Sequence, residues 1–78
     1  MRVGVKIPQQ GLTVREVVIS ELLCAQGDTV AEGQPVMSIE SEKSVLEVEA
    51  PAAGTVATII KSAGDECKVG EIVMYIDI

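Results

Sequence analysis

Gly27-Asp28-Thr29-Val30-Ala31-Glu32-Gly33-Gln34-Pro35-Val36-Met37-Ser38-Ile39-Glu40 recurs 37 residues later as Gly64-Asp65-Glu66-Cys67-Lys68-Val69-Gly70-Glu71-Ile72-Val73-Met74-Tyr75-Ile76-Asp77. Gly-Asp, the second Gly, Val-Met, Ile and the closing acid all match, so one structural unit is used twice. Upstream, Pro8-Gln9-Gln10-Gly11 matches Pro51-Ala52-Ala53-Gly54 at an offset of 43. The difference of 6 places a longer connection between Gly11 and Gly27 in the first copy.

Each copy reads as a Pro-x-x-Gly turn, an apolar strand, a Gly-Asp turn, a short strand, a Gly turn and a second apolar strand. The glycines supply turn backbone that other residues resist, and the prolines restrict their local turn or strand. The apolar runs Val17–Cys24, Val36–Ile39, Val45–Val48, Val56–Ile60 and Ile72–Ile76 have strand length and carry β-branched residues. The window most open to a helix, Glu16 to Ala25, contains Val17-Val18-Ile19 and ends at a Gly-Asp turn like its strand-like counterpart, so it too is read as strand. The expectation is an all-β fold: a flattened barrel or sandwich of two antiparallel sheets with pseudo-two-fold symmetry, the two halves burying their apolar faces against each other.

Composition bounds the function. Seventy-eight residues make a single small module, too small to hold both a large core and a full active-site cleft. With one Tyr and no Phe or Trp, the core must be built from Val, Ile, Leu, Met and Ala. A net charge of −6 and the lack of aromatic platforms argue against nucleic acid as a partner. No apolar run approaches a membrane span and Met1-Arg2-Val3-Gly4-Val5-Lys6 has no secretory apolar region, which leads to the expectation of a soluble protein in the cytoplasm, or the mitochondrial matrix in a eukaryote. Cys24 and Cys67 are read as reduced thiols used as small apolar residues. With no histidine, the chain offers no histidine-based nucleophile or base and no recognised metal-ligand spacing. Lys61-Ser62 lacks the upstream glycines of a phosphate loop.

One residue stands between the copies. Val36-Met37-Ser38-Ile39-Glu40 and Ser44-Val45-Leu46-Glu47-Val48-Glu49 read as strands of a hairpin with Lys43 at its turn, held out into water, and with the chain termini at the other end of the domain. The amine on its four-carbon stem can attack an activated carboxylate and form an amide that lengthens the arm. The bland reading is an ordinary solvated lysine with Glu40 and Glu42 as solvated charges and Ser41 and Ser44 as turn formers. The junction between matched copies favours the attachment reading.

The stretch Glu40-Ser41-Glu42-Lys43-Ser44-Val45-Leu46-Glu47-Val48-Glu49-Ala50-Pro51-Ala52-Ala53-Gly54, with the Gly-Asp and Gly turns, closely resembles the lipoyl domain of dihydrolipoamide acyltransferases, the E2 components of 2-oxo acid or acetoin dehydrogenase complexes. The resemblance runs from about Val3 to Ile76. The family's usual Glu-Thr-Asp-Lys-Ala is here Glu40-Ser41-Glu42-Lys43-Ser44; the first two changes keep hydroxyl and charge, while Ser44 adds a polar group beside the attachment point.

The resemblance implies a non-catalytic carrier domain over residues 1–78 with lipoate covalently attached to Lys43. It further implies a lipoate-attaching enzyme and three working partners: a thiamine-diphosphate-dependent decarboxylase (E1), the acyltransferase core (E2) and the FAD-dependent dihydrolipoamide dehydrogenase (E3). Glu40, Ser41, Glu42 and Ser44 become candidate recognition residues, and the Gly11–Glu16 connection a candidate for carrier selection by the decarboxylase. The alternatives are a biotinyl carrier domain, whose usual Ala-Met-Lys-Met context is absent because Glu42 and Ser44 stand in the two methionine positions, and an unmodified structural barrel module.

Overall fold

The computed structural model describes residues 1–9, 15–42 and 44–78. Eight strands follow one another along the described chain: β1 (Arg2–Lys6), β2 (Glu16–Leu22), β3 (Thr29–Val30), β4 (Pro35–Glu40), β5 (Val45–Glu49), β6 (Gly54–Ile59), β7 (Glu66–Lys68) and β8 (Ile72–Asp77). They form two four-stranded antiparallel sheets, β1-β8-β6-β3 and β5-β4-β2-β7. The two sheets remain separate layers, so the fold is a sandwich rather than a closed barrel.

The duplication governs this order. Replacing each strand of the first sheet by its repeat counterpart (β1 by β5, β8 by β4, β6 by β2, β3 by β7) produces the second sheet in the same sequence. Hydrogen bonds repeat with the same offsets. Gly27 N–H donates to the Val56 carbonyl at 2.8 Å and Gly64 N–H to that of Ile19 at 2.6 Å; both glycines have positive φ, 92° and 94°. Asp28 Oδ2 accepts from Ala25 N–H at 2.9 Å, as Asp65 Oδ2 does from Ser62 N–H at 2.8 Å, so each Gly-Asp turn is fixed by the side chain of its aspartate.

The expected sandwich of two antiparallel sheets with pseudo-two-fold symmetry is found, and the structure adds how its halves combine. Each sheet takes two strands from each half, so the halves interleave. The cause is local: the turns move the chain from one sheet to the other after every strand except β4. Among the described strands, the β4–β5 hairpin is the one sequential connection that stays within a sheet.

Strand β1 was not among the expected strands. Arg2-Val3-Gly4-Val5-Lys6 has charges at both ends and a glycine inside, which weaken the local strand signal. The 43-residue offset nevertheless pairs Val5 with Val48 and Ile7 with Ala50, and all four are buried. The other core residues pair through the 37-residue offset: Ile19 with Val56, Val30 with Cys67, Val36 with Val73, Met37 with Met74 and Ile39 with Ile76. Gly54, which the sequence alone aligns with Gly11, is placed by the strand pairing as the counterpart of Val17, and a Cβ there would overlap the Asp77 carbonyl oxygen and lie 2.8 Å from Ile76 Cγ2. No buried charged or polar residue interrupts this core among the described residues.

Candidate functional site

Strand β4 ends at Glu40 and β5 begins at Val45, its cross-strand partner. Between them Ser41 N–H donates to the Ser44 carbonyl at 2.8 Å, and the Ser41 hydroxyl lies 3.3 Å from both the Ser44 carbonyl oxygen and the Ser44 hydroxyl. These contacts clamp the two residues that bracket positions 42 and 43 in the chain. Glu40, Glu42 and Ser44 are exposed and Ser41 is half-buried. Lys43 lies outside the described residues, as does the 10–14 part of the candidate selection loop; of that loop only Arg15 and Glu16 are placed.

The repeat gives the clamp a counterpart at the chain ends. Ser41 and Ser44 correspond to Ile78 and Met1, and Ile78 N–H donates to the Met1 carbonyl at 2.8 Å, the counterpart of the Ser41–Ser44 bond. The place occupied by the hairpin tip in one sheet is occupied by the chain ends in the other. Strand β1 leads away from those ends for five residues, about 17 Å at ordinary strand rise, to Ile7, which is bonded to Gly70 and Glu71 next to β7. Lys68 of β7 pairs with Glu16, beyond the Val18–Glu40 level and so on the hairpin side. The termini therefore lie at the far end from the hairpin, as the sequence reading expected. An arm at the tip and a chain extension at either terminus do not obstruct one another.

Beside the tip is a shallow groove of about 460 Å³ lined by Glu16, Val17, Val18, Glu40, Ser41, Glu42 and Glu66. Sequence reasoning identified Glu40, Ser41 and Glu42, and Glu16 as the end of the candidate selection loop, but missed Val17, Val18 and Glu66, which arrive from β2 and β7 through the Val18–Glu40 and Val18–Glu66 pairings. Long-range pairing is not a local signal, although the register is implied once the repeat is applied to both sheets.

Neither cysteine belongs to the site. Both are free, and Cys67 is buried in the core position that Val30 fills in the other copy. Burial pushes its thiol up, with Glu71 and Asp65 adding to the shift and Lys61 opposing it. The Cys24 thiol is raised by burial and then by Asp28, and packs 3.8 Å from Met74 Sδ. Among the described residues no group of three His, Cys, Asp or Glu side chains is arranged to hold a metal, and no helix is long and apolar enough to cross a membrane.

A turn clamped by Ser41 and Ser44, with Glu40, Glu42 and Ser44 exposed, suits an amide-linked prosthetic arm, because none of these described residues is packed into the core. The acetyltransferase component of the pyruvate dehydrogenase complex of Mycoplasma capricolum is 41% identical over 94% of this chain and 17% of its own length. The succinyltransferase component of the 2-oxoglutarate dehydrogenase complex of Cupriavidus necator is 39% identical over 96% of this chain and 18% of its own. The chain thus spans under a fifth of the length of these curated relatives.

Among solved structures, the lipoyl domain of the 2-oxoglutarate dehydrogenase complex of Azotobacter vinelandii superposes with a TM-score of 0.79 at 26% identity, covering 97% of this chain and 96% of that one. Kluyveromyces lactis urea carboxylase superposes with a TM-score of 0.65 at 28% identity, covering 96% of this chain but 7% of the carboxylase. Residues 3–76 match the biotin/lipoyl family model, described as "biotin-requiring enzyme". With the duplicated sandwich, the clamped hairpin and this match over nearly all its length, the chain belongs to the biotin/lipoyl attachment domain family.

Proposed function

We propose that this chain is a swinging-arm carrier domain that bears lipoate in amide linkage on Lys43. The observation that carries the reading is the Ser41–Ser44 clamp at the only within-sheet hairpin of the described fold, with Glu40, Glu42 and Ser44 exposed. The attached dithiolane supplies acyl-carrying and redox chemistry. The chain's own residues supply a rigid base, an exposed turn and an acidic approach. The domain is thereby a substrate of other enzymes, and its described residues hold no catalytic constellation. Tethering replaces diffusion of a free intermediate with an effective concentration of about millimolar.

The partners that follow are a lipoate-attaching enzyme, which reads Glu40, Ser41, Glu42 and Ser44, and the E1, E2 and E3 enzymes of a 2-oxo acid or acetoin dehydrogenase complex. The acyltransferase relatives matched across this chain support that set. Residues 1–78 act as one carrier domain in this reading. Its setting is the cytoplasm, or the matrix of a mitochondrion in a eukaryote, where the two free thiols Cys24 and Cys67 would stay reduced.

Biotin is the second reading, since the urea carboxylase likeness shows that the fold is shared with a carboxylase chain. Glu42 and Ser44, rather than methionines, flank Lys43 and favour lipoate. Co-expression with a lipoate ligase or with a biotin ligase, followed by intact-mass and peptide mapping, tests the choice. Lipoylation confined to Lys43 and lost in Lys43→Ala is expected; modification by the biotin ligase alone would refute the lipoyl reading.

A further inference from the structure

The repeat supplies an internal control for surface chemistry, because the two sheets share one backbone plan and differ in the side chains mounted on it. The strands of the hairpin sheet carry Glu16, Glu21, Glu40, Glu47, Glu49 and Glu66 against one cation, Lys68. The strands of the other sheet carry Arg2 and Lys6 against Asp77. Corresponding cross-strand rows make the contrast local. Glu21 and Glu47 both pair with Ser38 in one sheet; the matching row of the other is Thr58, Tyr75 and Gly4. Like charges on neighbouring strands are unfavourable, and the matching row shows that the fold does not need them.

A second difference is apolar. The row Glu66-Val18-Glu40-Val45 corresponds to Thr29-Thr55-Asp77-Arg2, in which Arg2 neutralises Asp77 at 2.9 Å. In the hairpin sheet Val45 replaces the arginine and leaves Glu40 without that partner, while Val18 replaces a threonine. Val45 is 63% exposed and Val18 38% exposed. A bare cation has no use for two exposed valines, whereas a protein surface with basic groups around an apolar patch would cover them together with the glutamates. The groove between Val18 and Glu42 joins this face to the tip.

We propose that the outer surface of the hairpin sheet is a docking face for the decarboxylase that loads the arm, and that it receives a surface of Arg and Lys side chains around a small apolar patch. This rests on the carrier reading. Lipoylation itself strengthens the charge contrast, because amide formation removes the positive charge of the lysine amine.

The test exchanges residues between corresponding positions. Glu21→Thr, Thr58→Glu, Glu66→Thr and Thr29→Glu together keep composition and net charge while moving two charges to the other sheet. The lipoylated domain is assayed with purified thiamine-diphosphate decarboxylases acting on pyruvate or on 2-oxoglutarate, using the one that acylates the wild type. At low ionic strength KM should rise about tenfold with kcat unchanged, and the difference should shrink as salt is added. The melting midpoint should not fall, which separates lost docking from lost folding. If the exchange variant does not fold, Glu47→Gln should raise KM by about threefold under the same conditions. Normal lipoylation with an unchanged KM overturns the docking face and leaves the carrier reading standing; a wild type that is never lipoylated overturns both. Calorimetric binding of calcium that the exchange abolishes would mark an ion site and overturn the face as well.

Discussion

At the scale of single residues, the repeat shows which identities the fold demands and which are free. Gly54 is demanded by packing: a methyl group there meets the Asp77 carbonyl and Ile76. Gly54→Ala is therefore expected to cost about 3 kcal/mol, read by chemical denaturation, because neither a backbone carbonyl nor a buried isoleucine can yield cheaply. Cys67 is the converse case, since Val30 fills its matching position. Cys67→Val should change stability by less than about 1.5 kcal/mol. The raised thiol has a signed consequence. The folded state holds its proton at pH values where the unfolded thiol has lost it, so the stability contributed by neutral Cys67 is present below the ordinary thiol range and declines as pH rises through about 8.5 and above. Urea midpoints of wild type and Cys67→Val between pH 7 and 10 should diverge in that direction, and parallel curves would count against the burial-driven shift.

At the scale of elements, legibility follows from where the defining physics sits. The Gly-Asp, Gly and Pro-x-x-Gly turns were readable because they need special backbone conformations within a few residues. The hairpin around Lys43 was readable because two alternating runs flank a polar turn. Strand β1 was not, since Gly4 and its charged neighbours hide a strand whose burial depends on β8, more than 60 residues away. The interleaving was not readable either, as strand partners are set by the closing of the whole sandwich. Equivalent elements should behave equivalently. Met37 and Met74 are both wholly buried on β4 and β8, so Met37→Ala and Met74→Ala should each cost about 3 kcal/mol and agree within about 1 kcal/mol. In a domain this small, the double variant is expected to be unfolded at 25 °C by circular dichroism. A large inequality between the single variants would show that the two sites relax differently despite their shared plan.

At the scale of the whole molecule, the fold is close to a ring in which residues 78 and 1 lie side by side. Joining Ile78 to Met1 through two residues and opening the chain between Glu42 and Lys43 would interchange the roles of the two ends. Such a permutant should give the same strand pairings by amide hydrogen-bond mapping and a cooperative melt, because the Ser41–Ser44 and Ile78–Met1 bonds are counterparts. A molten or unpaired product would show that the native hairpin does more than close the sheet. Sequence made the candidate site legible as a position and a charge pattern; it could not show that one sheet bears nearly all the excess acid, since that contrast exists only after the strands have been sorted into layers.

The adjacency of Met1 and Ile78 also has a mechanical meaning. Strands β1 and β8 run antiparallel with their bonds perpendicular to their length, so tension applied between the two chain ends loads those bonds one after another. The domain would peel open like a zipper at low force. Pulling between the hairpin tip and one terminus instead loads many bonds together in shear. A carrier held from one end while its arm is engaged at the other is stressed along its strong axis, and single-molecule stretching in the two geometries should give clearly different rupture forces.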